Sequence, residues 1–228
     1  MNKPWPLWQK LAVAAVVLVL ACELLPTLDL TISGWFWRPD AGGFWLRDTW
    51  LAVGVYWGTR VMTATIALAL LGTIVYGFSG HAPARRSLGR RALLVLLAMA
   101  LGPGLIVHNV FKNEWGRPRP TQIVDFGGTG HYVPPGIPGN QCARNCSFVS
   151  AHAAAGYVLM AGGLLWPARR RRWIWIGLVV GSVIGVVRII QGGHFLSDVI
   201  GAAAVVAATN RAIENWARRR GWLAAPPA

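Results

Sequence analysis

Acidic residues are scarce in this 228-residue chain: eight Asp and Glu stand against 22 Lys and Arg, a formal net charge of +14. Cysteine is rarer still, at three, and the number and spacing offer no zinc pattern. Charged residues of both signs make up only 13% of the chain, and no shift in composition marks a second domain. Polar stretches are short except for one loop. What remains is 54% apolar residues with 13 Trp, in runs too long and too numerous for the core of a water-soluble protein.

Six of these runs approach the roughly 20 residues that a bilayer crossing needs. They lie at about 9–27, 58–79, 91–111, 148–167, 173–190 and 195–213. The expected fold is an all-α integral membrane protein, one domain over 1–228 with six transmembrane helices. Residues 11–21 behind Lys10 also look like a signal peptide, and Val19-Leu20-Ala21-Cys22 resembles a lipoprotein cleavage box. An uncleaved first span gives an even, self-consistent topology, and that is the reading taken. Cys22 is then unpaired.

A charge of +14 raises the question of nucleic acid or an acidic membrane surface. Its distribution answers it. Lys3, Lys10, Arg85, Arg86, Arg90, Arg91, Arg169 to Arg172, Arg211, Arg218, Arg219 and Arg220 all fall on one side if the spans alternate, with only Glu214 opposing them. By the positive-inside rule that side, with both termini, is cytoplasmic. No nucleic-acid partner is needed. The other eight basic residues, Arg38, Arg47, Arg60, Lys112, Arg117, Arg119, Arg144 and Arg188, lie on or near the outer side, where the rule disfavours them. Seven acids nearly balance them there: Glu23, Asp29, Asp40, Asp48, Glu114, Asp125 and Asp198.

The outer segment 28–57 carries Trp35, Trp37, Trp45, Trp50 and Trp57, rings that favour the headgroup layer. It reads as one or two anchoring helices along the interface. Arg60, just inside the second span, reads as a snorkelling side chain. Gly102-Pro103-Gly104 should kink the third span. His108, four residues before Lys112 and on the same face, is at best a neighbour of a site. The outer loop 112–147 is the longest non-apolar segment. Cys142 and Cys146 lie near its end in a compartment expected to be oxidising, so a small disulfide is expected if the backbone turns suitably.

Three outer-side segments carry the chemistry. Lys112 and Arg119 follow the third span, Ser150 and His152 open the fourth, and Arg188, His194 and Asp198 bridge the last two. If the chain is helical from His194, Asp198 lies one turn on and can hold the imidazole's far N–H. Three cations at one membrane level are costly unless an anion sits among them, and phosphate fits best.

Lys112-x6-Arg119-Pro120, Ser150-Ala151-His152 and Arg188-x5-His194-x3-Asp198 resemble the three motifs of the type 2 phosphatidic acid phosphatase (PAP2) superfamily, over roughly residues 58–213. The second motif usually reads Pro-Ser-Gly-His, where this chain has Val149 and Ala151, and the third usually has Ser where this chain has Val187. The resemblance implies a PAP2-type helical bundle in a bacterial inner membrane, with a periplasmic site and no metal or cofactor. It implies His194 as the nucleophile that becomes phosphohistidine, Asp198 as its partner, and His152 as the acid and then the base. Lys112, Arg119, Arg188 and Ser150, with backbone N–H groups at Ala151 and His152, would bind the phosphoryl oxygens. The implied substrate is a membrane lipid phosphate or diphosphate. Cys142-x3-Cys146-Ser147-Phe148-Val149-Ser150 is most similar to the lipid A phosphatase branch. Undecaprenyl diphosphate and phosphatidylglycerol phosphate phosphatases, and lipid phosphotransferases with the same catalytic set, remain open alternatives. A transporter would explain the cations but not the His–Asp spacing. The sequence is silent on oligomeric state.

Overall fold

The computed structural model describes residues 5, 7–24, 26–45 and 47–223. Lys3 and the Cys22 side chain lie outside the described residues. The fold is mostly helical. Helix α1 (Leu7–Leu24) is followed by α2 (Pro26–Gly34), a short hairpin of β1 (Trp37–Arg38) and β2 (Gly43–Phe44), and the long α3 (Trp50–Phe78). Next come α4 (Pro83–Met99), running on through Ala100–Phe111 into α5 (Lys112–Glu114), then a loop, α6 (Ala151–Tyr157), α7 (Gly162–Leu165), α8 (Arg170–Ile190) and α9 (Leu196–Arg219).

The helix ends follow local chemistry. Thr49 caps α3, its hydroxyl accepting from Ala52 N at 3.4 Å. Pro83 opens α4, where its missing N–H costs nothing. Pro103 falls inside the apolar run, and over Ala100–Phe111 the backbone widens to π-helical pairing. The expected irregularity at Gly102-Pro103-Gly104 is thus a widened helix that continues to Lys112.

Six full spans are not what the described residues give. Four helices are long and apolar enough to cross a bilayer: Trp50–Phe78, Pro83–Glu114, Pro167–Ile190 and Leu196–Arg219. A fifth crossing is counted if Gln9–Ala21 and Pro26–Gly34, bent by 87° to one another, form one broken span. The run expected at 148–167 yields only Ala151–Leu165, because Ser150 starts the helix late and a tighter 3-10 turn interrupts it at Val158–Ala161.

The segment 28–57 also differs from the interfacial helices expected of it. Apart from a 3-10 turn at Pro39–Ala41, only α2 is helical there before α3 begins at Trp50, eight residues ahead of the expected span. Between them the chain reverses at Gly42, whose φ of 61° lies in the left-handed region that glycine tolerates. This turn delivers Phe44 into a cluster with Ile123, Phe126 and Phe195. Trp37 packs against it with its ring tilted, 5.4 Å from the Phe44 ring, while Trp35, Trp45, Trp50 and Trp57 remain exposed.

The bundle places its functional ends together. The α5 end of the long helix, the start of α6, the end of α8 and the start of α9 meet at one end. The basic clusters Arg85–Arg91 and Arg169–Arg172 and the residues around Arg218 lie at the opposite ends of the same helices. There Glu214 is buried and meets Arg170 at 2.7 Å, Arg218 at 2.8 Å and Arg211 at 3.6 Å. Helices α6 and α8 approach so closely that a Cβ on Gly156 would strike the Gly181 backbone. That contact fixes His152, one turn from Gly156, relative to Arg188. Val107, Phe148, Val149, Ala153 and Val199 fill the space beneath.

Candidate active site

Lys112 closes the long helix, almost fully buried, and its ammonium donates to Cys146 O at 2.8 Å. Arg119, seven residues on, donates to Asn145 O at 2.7 Å and to Asn145 Oδ1 at 3.0 Å. Both acceptors belong to the small ring that the Cys142–Cys146 disulfide closes, with Cα atoms 5.6 Å apart. Asn145 sits in that ring at a φ of 54°. One cross-linked turn therefore positions two cations.

Ser150 caps α6 from a buried position: its hydroxyl accepts from Ala153 N at 3.4 Å, and its own N–H donates to Asp198 O at 3.0 Å. The start of α6 is thereby tied to α9. His152 lies against the Tyr56 ring, centroids 4.6 Å apart. Arg188, in the last turn of α8, donates to Gln191 Oε1. Its buried Nε has no partner among the described residues. Gly193 lies so close to the Arg188 guanidinium that a side chain there would displace it.

Lys112, Arg119, Arg188, Ala151 and His152 line one open cavity of about 550 Å³, together with Tyr56, Arg60 and His108. Its described lining contains no carboxylate. The cations that face it keep free N–H donors, an arrangement that favours an anion.

His194 and Asp198 are 1% and 0% exposed, Ser150 is equally buried, and none of the three is among the described lining residues of the cavity. His194 Nδ1 is 3.4 Å from Asp198 Oδ2, without hydrogen-bond geometry in this state. That oxygen is already occupied, by the Ser147 hydroxyl and by Phe195 N at 2.8 Å. Burial first, and Lys112 second, push the His194 imidazole well below its ordinary value, so it is neutral.

Asp198 belongs to a buried network that sequence reasoning missed. Arg117 is fully buried and forks between two carboxylates, Nη1 donating to Asp198 Oδ1 and Nη2 to Asp29 Oδ2 at 2.8 Å. Asp29 also accepts from the Ser197 hydroxyl, from Ser197 N at 3.0 Å and from the Tyr132 hydroxyl at 3.1 Å. Burial alone would lower the Arg117 pKa, but Asp198 and Asp29 outweigh it and hold the guanidinium charged. The available sign was the outer-side excess itself, in which Arg117 and Asp29 had no assigned purpose.

The sequence profile described as "PAP2 superfamily" matches residues 91–222, well over half of the chain. The chain belongs to the PAP2 superfamily. It is a PAP2-type phosphatase. It is 33% identical over 189 residues to a lipid A 4'-phosphatase of Francisella tularensis subsp. novicida, covering 78% of this chain and 80% of that one. It is 25% identical over 230 residues to phosphatidylglycerophosphatase B of Escherichia coli K12, covering 88% and 87%. In fold it is similar to a transmembrane PAP2 type phosphatidylglycerolphosphate phosphatase from Bacillus subtilis, with a TM-score of 0.57 at 18% identity over 93% of this chain and 96% of that one. All three motifs fall within the PAP2 match, and the relatives named for lipid A support the branch read from Cys142–Ser150.

Proposed function

We propose that this PAP2 enzyme removes a phosphate from lipid A at the periplasmic face of a bacterial inner membrane, through a phosphohistidine on His194. The observation that carries the reading is the carboxylate-free cavity lined by Lys112, Arg119, Arg188 and His152, with the buried His194 near enough to feel the charge of Lys112 and Arg119. A phosphate monoester seated there exchanges water for three fixed cations, the charge neutralisation that phosphoryl transfer needs most. The free His194 Nε2 attacks phosphorus as the ester P–O bond breaks. Burial and Arg188 hold the His152 pKa down to about 3, so the imidazole takes up a proton only once the bound phosphate offsets the surrounding cations, and it then gives that proton to the leaving alkoxide. His152 then takes a proton from water, which attacks phosphorus and frees His194. Asp198 faces Nδ1 and stabilises the imidazolium that forms, while Arg117, Ser147 and Phe195 N hold the carboxylate in place. The basic clusters at the far ends of the helices support a cytoplasmic assignment for that end and a periplasmic one for the site.

The test is phosphate release by purified protein in detergent with chelator present. Wild type and His194→Ala are compared on lipid A, undecaprenyl diphosphate, phosphatidylglycerol phosphate and phosphatidic acid. The expected result is release that survives chelation, is fastest on lipid A and is lost in the variant. Faster turnover of phosphatidylglycerol phosphate would move the substrate assignment to the activity named for the E. coli relative.

A further inference from the structure

Three cations already meet the charge of one phosphate, yet the cavity holds a fourth. Arg60 lies one helical turn beyond Tyr56 on α3, on the membrane side, where Thr63, Ala64 and Ala67 continue the same wall over the next two turns. His108, one turn inward from Lys112, lines the same cavity. Arg60 has no carboxylate partner among the described residues, and its only hydrogen bond there is to the Tyr56 hydroxyl at 3.4 Å. Its guanidinium carbon is 5.1 Å from the Trp57 ring centroid and 5.7 Å from that of Tyr56, and the guanidinium carbon of Arg188 is 5.9 Å from the Tyr56 ring. The Tyr56 ring, itself against His152, thus adjoins both arginines, so Arg60 lies near the scissile site without duplicating Arg188. A space of about 550 Å³ suits a whole head group rather than one phosphate.

We propose that Arg60 forms a second phosphate subsite, on the membrane side of the scissile one, that selects lipids carrying two phosphoryl groups. The subsite rests on the phosphatase reading above and adds its substrate class. It replaces the expectation that Arg60 only snorkels: a cation that lines the cavity and lacks an acidic partner is held for an anion that arrives with the substrate. The second phosphoryl group has two chemical sources, the inner phosphate of a diphosphate or a separate phosphate on the same head group.

The experiment compares wild type, Arg60→Gln and Arg60→Lys on two substrate pairs: lipid A with both phosphates against lipid A with the scissile phosphate alone, and a polyprenyl diphosphate against its monophosphate. Losing one charge-assisted contact should raise the ratio of the doubly to the singly phosphorylated KM about ten-fold in Arg60→Gln. Arg60→Lys should restore much of it. The pair that responds names the source. Binding of inorganic pyrophosphate and of inorganic phosphate to the inactive His194→Ala protein gives a readout without turnover: adding Arg60→Gln should weaken pyrophosphate alone. A KM ratio that does not move, or equal weakening of both anions, overturns the subsite. Failure of the wild type to release phosphate from any lipid would instead overturn the phosphatase reading.

Discussion

Arg117→Met would remove the one cation that lies between two fully buried carboxylates. In the folded chain Asp198 would keep Ser147 and Phe195 N, and Asp29 would keep Ser197 and Tyr132, but neither would have a cationic partner left among the described residues. Removing one partner of a buried ion pair costs about 3–5 kcal/mol. For a chain of this length that is a fall in melting temperature of roughly 6–20 °C. Lysine offers one ammonium where the guanidinium fork has two arms, so Arg117→Lys should fall between wild type and Arg117→Met. Asp29→Asn in the Arg117→Met background should recover part of the loss, with a coupling of about 0.5–3 kcal/mol. The assay is thermal unfolding of detergent-solubilised wild type, Arg117→Met, Asp29→Asn and the double variant, with Arg117→Lys alongside. An Arg117→Met protein melting within about 2 °C of wild type, or no coupling to Asp29, would refute the claim that this fork holds the two carboxylates.

Three further outcomes follow from the same geometry. Cys142→Ser with Cys146→Ser, or a reductant, should raise KM several-fold with little change in melting temperature, because Lys112 and Arg119 are anchored on that ring; unchanged kinetics would count against the anchoring. Gly193→Ala should cost at least ten-fold in kcat/KM by displacing the Arg188 guanidinium, and wild-type kinetics would show that this cation is not held by the close approach. The folded chain resists protonating His194 while the unfolded chain takes a proton near pH 6.5, so stability should fall as pH drops below that value, by up to about 1.4 kcal/mol per pH unit. In His194→Asn this component should vanish from melting temperature measured against pH, and an identical slope would refute it.

The parts of this molecule that were legible in its sequence are those written locally. Lys112 to Arg119, Ser150 to His152 and Arg188 to Asp198 are each short enough to read as a unit, and the fold brings all three to one end. The long apolar runs likewise gave α3, the Pro83–Glu114 helix, α8 and α9. The run around Gly162-Gly163 could not show that its helix would be interrupted and short, because hydropathy averages over such breaks. Asp29 and Arg117 are 88 residues apart in sequence and neither belongs to a periodic pattern, so only the fold reveals the pair. The hairpin did leave a local sign in Pro39-Asp40-Ala41-Gly42-Gly43. The density of tryptophan around it drew the reading towards the interface instead.

The central claim is that His194 carries the phosphoryl group between substrate and water. It is tested most directly by rapid acid-free quench of wild type with phosphate-labelled substrate, followed by peptide mapping. The account predicts a phosphoramidate label, stable to alkali and labile to acid, on the peptide containing His194, and its absence in His194→Ala. A label on another residue, or full phosphate release by His194→Ala, would contradict it.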